Sequence, residues 1–101
     1  MKIKHLKPTK WNWVVSYPEN LDLGNNVDIG CFTYIQAGYG VIIHDNVQIG
    51  AHCAIYSEDT ERGEYAGVEI KQGAKIGAHT VILPGAIIEE NAKIPIGSVV
   101  K

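Results

Sequence analysis

The sequence repeats with a period of six residues over most of its length. Eleven six-residue units open with an aliphatic residue, ten with Ile and one with Leu, at positions 23, 29, 35, 43, 49, 55, 70, 76, 82, 88 and 94. Neither an amphipathic helix nor a simple strand has this period. Repeats of this kind build stacked coils, in which each unit adds one short straight segment. The period therefore predicts an all-β solenoid.

The other positions of each unit suit short segments joined by bends. The fifth residue is usually small, and Gly or Asn recurs, which lets the chain turn between segments. Three units make one triangular coil, so about four coils stack and their aliphatic residues form three columns. The predicted columns are Leu23, Ile43, Ile70 and Ile88; Ile29, Ile49, Ile76 and Ile94; and Ile35, Ile55, Ile82 and Val100. The flat outer faces of such a prism are natural subunit contacts.

Two segments depart from the repeat. Residues 1–20 carry both tryptophans, and the alternation of Trp11, Trp13 and Val15 predicts an extended segment with one apolar face. This segment either caps the open end of the repeat core or stacks on a ligand. Residues 21–101 form the predicted repeat domain. Within that domain a polar stretch breaks the phase, which predicts an excursion loop over residues 57–69.

Composition excludes several classes of function. The chain has 101 residues and a net charge of -2, so it has no basic surface for nucleic acid. No apolar run is long enough to span a membrane and the first residues lead into no signal-peptide core, so we expect a cytoplasmic protein. Cys31 and Cys53 have neither metal-binding nor redox spacing and are expected to be small buried hydrophobes.

Four of the eleven units open with an aliphatic residue followed by Gly, and one pair of units reads Ile76-Gly-Ala-His-Thr-Val-Ile-Leu-Pro-Gly-Ala-Ile. In these features the sequence resembles the hexapeptide-repeat acyltransferase superfamily, in particular its sugar O- and N-acetyltransferases of the galactoside/maltose and surface-polysaccharide types. The resemblance implies a left-handed parallel β-helix of about four triangular coils. It also implies a homotrimer that uses acetyl-CoA as acyl donor and binds a sugar or nucleotide-sugar acceptor between subunits.

Acyl transfer from a thioester needs a base for the attacking hydroxyl or amine, and histidine is the usual base near neutral pH. The first candidate is His52, which takes a fourth, non-core position just before the excursion loop. The alternative is His44, at a second position where Gly is usual. Galactoside- and maltose-type enzymes carry their catalytic histidine in the excursion loop, whereas this loop has carboxylates and no histidine. Among those carboxylates, Asp59 would sit at an inward-leaning position of a regular coil and is a candidate to orient a histidine or act as a base.

The resemblance also implies a cofactor-side wall in the second half of the chain. It places CoA along Ala78, His79, Pro84, Gly85, Ile96 and Gly97, with Lys101 near the adenosine phosphates. No metal is expected.

Two other functions stay open at this point. One is a non-catalytic trimeric β-helix scaffold. The other is a γ-type carbonic anhydrase, which shares the prism and needs three histidines on one zinc across a subunit interface. The pair of histidines five residues apart that is typical of that group is absent from this sequence.

Overall fold

The chain folds as a three-sided parallel β-solenoid, which confirms the predicted fold class. The computed structural model describes residues 2–101, and no helix in that range is long and apolar enough to cross a membrane. One 3-10 helix spans Pro18–Asn20. The strands are β1 Val14–Ser16, β2 Leu21–Leu23, β3 Asp28–Ile29, β4 Tyr34–Gln36, β5 Val41–Ile43, β6 Gln48–Ile49, β7 Ala54–Tyr56, β8 Glu58–Asp59, β9 Glu64–Tyr65, β10 Val68–Ile70, β11 Lys75–Ile76, β12 Val81–Ile82, β13 Ile87–Ile88, β14 Lys93–Ile94 and β15 Val99–Val100.

Three parallel sheets form the walls of the prism. Sheet 1 has the order β1-β4-β7-β12-β15, sheet 2 the order β2-β5-β10-β13 and sheet 3 the order β3-β6-β11-β14. Strands β8 and β9 pair antiparallel and form a hairpin outside the walls. Sheets 2 and 3 have four strands each, which agrees with the expected four coils.

The strand register confirms the three aliphatic columns. In sheet 2, for example, Ile43 pairs with Leu23 on one side and with Ile70 on the other. The largest fully buried side chains include Ile35, Ile43, Ile55, Ile70 and Ile82. Full burial of one such side chain contributes about 1.5–3 kcal/mol, so these columns are the main stabilising element of the fold.

Nine of the eleven units turn through a fourth residue in the left-handed region, with φ between 58° and 82°. Gly and Asn adopt this conformation readily, whereas other residues pay roughly 1–2 kcal/mol for it. The asparagine corner joins sheet 2 to sheet 3 and consists of Asn26, Asn46, Gly73 and Asn91. The histidine corner joins sheet 3 to sheet 1 and consists of Phe32, His52, His79 and Gly97. The hairpin corner joins sheet 1 to sheet 2 and includes Gly85.

Glycine at the second position of a unit is required where the coils approach most closely. A Cβ atom on Gly50 would lie 2.6 Å from the backbone nitrogen of Ala78, and one on Gly77 would lie 2.5 Å from that of Ile96. Both distances are far below van der Waals contact. The aliphatic–Gly opening therefore reflects backbone stacking between successive coils beside sheet 3.

The ladder of sheet 1 reaches into the segment predicted as an N-terminal cap. Val15 in β1 pairs with Ile35 in β4, and Trp13 is buried at the end of the core. Asn12 repeats the left-handed corner conformation with φ 64°, so this segment forms one more corner, with Trp13 at the place of the small fifth residue. Trp11 lies on that turn and is half exposed. The division into a cap at 1–20 and a repeat domain at 21–101 stays a prediction.

The excursion is shorter than the broken sequence pattern implied. The hairpin occupies Glu58–Tyr65, and Val68 and Glu69 already belong to β10. Their partners in β5 are Val41 and Ile42, the two extra residues that interrupt the repeat between the units starting at 35 and 43. The interruption is therefore a two-residue extension of the sheet 2 strands.

The two cysteines differ in their surroundings. Cys53 is buried, as expected, and its thiol lies 3.3 Å from the carbonyl oxygen of Gly77. Cys31 is exposed, because it directly precedes the Phe32 corner. The expectation of a small buried hydrophobe is correct for Cys53 and wrong for Cys31.

Candidate functional site

A histidine–carboxylate pair lies on the outer face of sheet 2. His44 directly follows β5, and its Nε2 lies 2.7 Å from Oε2 of Glu69 in the neighbouring strand β10. The side chains of His44 and Glu69 are 43% and 35% exposed, so both remain accessible from outside. The strand register places Glu69 between Ile42 and Ile87, which point outward on either side of it.

This contact decides which ring nitrogen of His44 is free. An ionised carboxylate can only accept a hydrogen bond, so in the neutral ring Nε2 carries the proton and donates it to Glu69. The lone pair is then on Nδ1, which can take a proton from a bound nucleophile. The carboxylate fixes this tautomer and stabilises the imidazolium ion that forms when Nδ1 is protonated.

A second ion pair lies beside the first on the same face. Lys71 Nζ lies 3.0 Å from Oε1 of Glu89. The hydrogen bond and the charge of Glu89 raise the pKa of Lys71 above its ordinary value, so Lys71 stays charged at neutral pH. The charge of Glu69 adds to the same rise in the pKa of Lys71, so Lys71 lies within electrostatic reach of the His44–Glu69 pair.

His52 lies in a stack of rings at the histidine corner. Its ring is parallel to that of His79, with centroids 5.0 Å apart and an interplanar angle of 6°, and Phe32 lies on its other side at 5.2 Å. All three side chains are exposed. The stacking explains how three bulky residues are accommodated in a left-handed conformation, since aromatic pairs contribute about 0.5–1.5 kcal/mol each.

Asp59 lies in the hairpin and not in a regular coil, so it does not take the inward-leaning position expected from the sequence. It is half buried, and its Oδ1 accepts a hydrogen bond of 3.3 Å from the backbone N–H of Arg62. It also lines a pocket of about 360 Å³ together with Tyr56, Glu58 and Leu83.

The three predicted catalytic residues are not brought together within one chain. His52 and Asp59 lie at opposite ends of β7, and His44 lies beyond the hairpin corner on sheet 2. The structure pairs none of them with another, and it pairs His44 with a residue that the sequence reasoning did not select. Among residues 2–101, no group of three or more His, Cys, Asp and Glu side chains is arranged to hold a metal ion.

The residues predicted to contact CoA fall into two groups. Ala78, His79, Ile96 and Gly97 lie together at the histidine corner, where Gly97 N–H donates to the carbonyl oxygen of Ala78 at 3.0 Å. Pro84 and Gly85 lie at the hairpin corner, at the other end of sheet 1. Lys101 is exposed and directly follows Val100, whose carbonyl oxygen accepts from Leu83 N–H at 2.8 Å. It therefore belongs to the second group.

Glu69 is the site residue that sequence reasoning missed. It fell in the polar stretch that breaks the repeat, where residues were assigned to a loop. The signal that could have found it is the matching extension Val41–Ile42, whose partners in β10 are Val68 and Glu69. An alignment of the two extended strands places Glu69 next to the strand that leads into His44.

The hairpin is anchored by buried polar contacts at its base. Ser57 is fully buried, and its hydroxyl donates to the backbone oxygen of Gln36 at 2.7 Å and accepts from Tyr39 N–H at 2.9 Å. The side-chain amide of Gln36 donates to Oε2 of Glu58 at 2.8 Å. These contacts tie the start of the hairpin and the turn at Tyr39 to the wall of the prism.

We expect Ser57→Ala to lower the free energy of unfolding by about 1–3 kcal/mol, because it removes a buried hydroxyl and leaves the partly buried N–H of Tyr39 without its acceptor. Chemical denaturation measures the loss, and hydrogen exchange at the Tyr39 amide should become faster. The matched control is Thr60→Ala on the exposed part of the hairpin, which should change stability by less than about 0.5 kcal/mol. Equal effects of the two substitutions would contradict the anchoring role.

Comparison with known proteins supports the fold. No protein-family model and no curated protein matches the sequence. Among solved structures, the crystal structure of a hexapeptide-repeat-containing acetyltransferase from Vibrio cholerae is similar, with a TM-score of 0.78 and 21% sequence identity over 86% of this chain. The chain spans 55% of the length of that protein. This likeness confirms the hexapeptide-repeat resemblance at the level of the fold.

Proposed function

We propose that this protein is an acyltransferase that moves an acetyl group from acetyl-CoA to a hydroxyl or amino group of a sugar or nucleotide-sugar. The observation that carries the proposal is the contact between His44 and Glu69 on an accessible face of the solenoid. A base held by a carboxylate is the arrangement that activates a hydroxyl or amine nucleophile. The likeness in fold to an acetyltransferase supports the choice of acyl transfer among the reactions that use such a base.

The chemistry follows from the free nitrogen of His44. Nδ1 takes the proton of the acceptor as its oxygen or nitrogen bonds to the thioester carbonyl carbon. The carbon–sulfur bond then breaks, and the thiolate of CoA receives a proton from the imidazolium. Glu69 keeps the ring oriented and compensates its positive charge during the step. Products are the acetylated acceptor and free CoA thiol.

His52 remains the competing candidate for the base. It is exposed and sits next to His79 in the group of residues proposed to contact CoA, but its ring stacks on Phe32 and His79, and no carboxylate contacts it among the residues described. A base without an orienting partner gains less from its position. We therefore place His44 ahead of His52, the reverse of the order that the sequence suggested.

We further propose a homotrimer with the reaction site between neighbouring prisms. The supporting observation is that His44, His52 and Asp59 lie at separate places on one chain, as do the two groups of proposed CoA contacts. A site that uses several of them needs contributions from two chains. In that arrangement Asp59 would orient a histidine or act as a base.

Release of free thiol from acetyl-CoA tests the function. We expect thiol release that depends on an added amino- or hydroxy-sugar, together with a threefold mass in sedimentation equilibrium. A folded trimer that releases no thiol with any acceptor would contradict the enzyme and favour the scaffold. Zinc analysis of the purified protein checks the carbonic anhydrase alternative in the same sample.

A further inference from the structure

We infer that the groove around Glu69 binds a primary amine carried on an aromatic or branched aliphatic group, as the acceptor for His44. The inference rests on the proposed acyl transfer and adds an apolar amine to the sugar acceptors proposed above. The groove has a volume of about 260 Å³ and is lined by Tyr39, Gly40, Ile42, Glu69, Gly85 and Ile87, among others. It lies on sheet 2, away from His52 and from the pocket beside Asp59.

The walls of the groove are apolar and exposed. Tyr39, Ile42 and Ile87 are 55%, 40% and 57% exposed, although they belong to a chain whose other outward positions are largely polar or charged. Small-molecule pockets are lined mainly by apolar and aromatic side chains, with a few polar groups that orient the ligand. The walls therefore predict an apolar group as part of the ligand.

The centre of the groove carries a negative charge. Glu69 is the one charged side chain among the lining residues, and the register places it between Ile42 and Ile87. A ligand seated against these two isoleucines brings its polar end to Glu69, whose Oε2 lies 2.7 Å from Nε2 of His44. A carboxylate in an apolar surrounding prefers a cationic partner, so charge complementarity favours an ammonium group over a hydroxyl.

The wall of the groove formed by Tyr39 is held in place before any ligand binds. The ring of Tyr39 lies 5.2 Å from that of Tyr65 on the hairpin, and the Tyr39 N–H is fixed by Ser57. Directly after Tyr39, a Cβ atom on Gly40 would have no atom within 4 Å, so the groove is open at this point. A preformed aromatic wall with an open entrance suits a flat or branched group of small size.

The transfer to an amine needs only the ammonium, His44, the thioester and water. The ammonium gives one proton to Nδ1 of His44, and the amine nitrogen then bonds to the thioester carbonyl carbon as the carbon–sulfur bond breaks. The nitrogen loses its second proton to water, and the imidazolium of His44 gives its proton to the departing thiolate. An amide and a free thiol result.

Direct binding tests the groove without depending on turnover. We expect calorimetric titration of the unmodified protein to show that 2-phenylethylamine binds at least about tenfold more tightly than ethylamine, because burial of the ring adds more than 1.4 kcal/mol. Ile42→Ser and Ile87→Ser should each remove most of that difference. The matched control is Val99→Ser, an exposed apolar position on sheet 1, which should leave it unchanged. Equal binding of the two amines would overturn the inference.

The remaining outcomes distinguish failure of the amine-binding groove from failure of the proposed acyl transfer. If Ile42→Ser and Ile87→Ser change the sedimentation mass, a second copy of the chain covers the groove and the inference is wrong. If thiol is released with sugars while 2-phenylethylamine does not bind, the acyltransferase stands and the amine site fails. If 2-phenylethylamine binds selectively but stimulates no thiol release while a sugar does, the amine is not an acceptor for His44 and the inference is wrong. If neither acceptor releases thiol, the proposed function fails.

Discussion

Replacing His44 by alanine is expected to lower the rate of acyl transfer by about 10²–10⁴-fold, the usual contribution of a positioned general base. The substitution removes the one nitrogen that can take the proton of the acceptor, and it leaves Glu69 without its partner. The core is unaffected, since His44 is outside it and half exposed. Steady-state thiol release with the same acceptor measures the loss, and the unfolding midpoint should stay close to that of the unmodified protein.

Two further variants test the role of Glu69 and decide whether His44 or His52 is the base. Glu69→Gln keeps the shape of the side chain but removes its charge, so with a sugar acceptor kcat should fall while KM for that acceptor changes little. His52→Ala should change the rate by less than about tenfold, which is under 1.4 kcal/mol of barrier. If His52→Ala proved the more damaging of the two histidine substitutions, the base would be His52 and the His44–Glu69 contact would be structural.

The second large effect is expected on the stability of the fold. Gly50→Ala should lower the free energy of unfolding by about 3 kcal/mol or more, at the upper end of what overpacking costs. The new methyl group would lie 2.6 Å from the backbone nitrogen of Ala78, and a backbone atom of the next coil cannot move aside as a flexible side chain can. Denaturant unfolding followed by circular dichroism measures the change.

Gly63→Ala is the matched control for this substitution. Gly63 lies on the hairpin with φ 67°, and a Cβ atom there would meet nothing within 4 Å. Its replacement should cost only about 1–2 kcal/mol, the penalty for a left-handed residue with a side chain. A Gly50 variant no less stable than the Gly63 variant would show that the coils can separate, against the close stacking described.

Most of the fold could be predicted because one residue type marks every turn of it. An aliphatic residue at each sixth position fixes which side chains face the axis, and the pairing of Ile43 with Leu23 and Ile70 follows from counting units. The first corner, at Asn12 and Trp13, was not predicted because it lacks this pattern. Trp13 occupies a place where the pattern has a small residue, and only the coordinates show that a bulky ring can close the end of the core there.

The candidate site was harder to predict, because it depends on contacts between units that are distant in sequence. The repeat pointed to His52 as a polar residue at a non-core position, but it gave no information on what surrounds the ring. Glu69 lies 25 residues after His44, and the intervening hairpin hides the register that joins them. The strand extension at Val41 and Ile42 reveals that Glu69 lies beside the strand leading to His44 only once β10 is known to begin at Val68.

The hairpin has a consequence for how such a chain can diversify. It leaves the wall after Ser57 and the chain is back in sheet 2 by Val68, so the coils on either side stack as if it were absent. Doubling the length of a loop costs only about 0.6 kcal/mol of closure entropy. Insertions or deletions between residues 59 and 64 should therefore change the stability of the prism little, while they change the surface beside Tyr39. Selection can alter what the protein recognises by editing this hairpin alone, and the architecture that carries it is inherited unchanged.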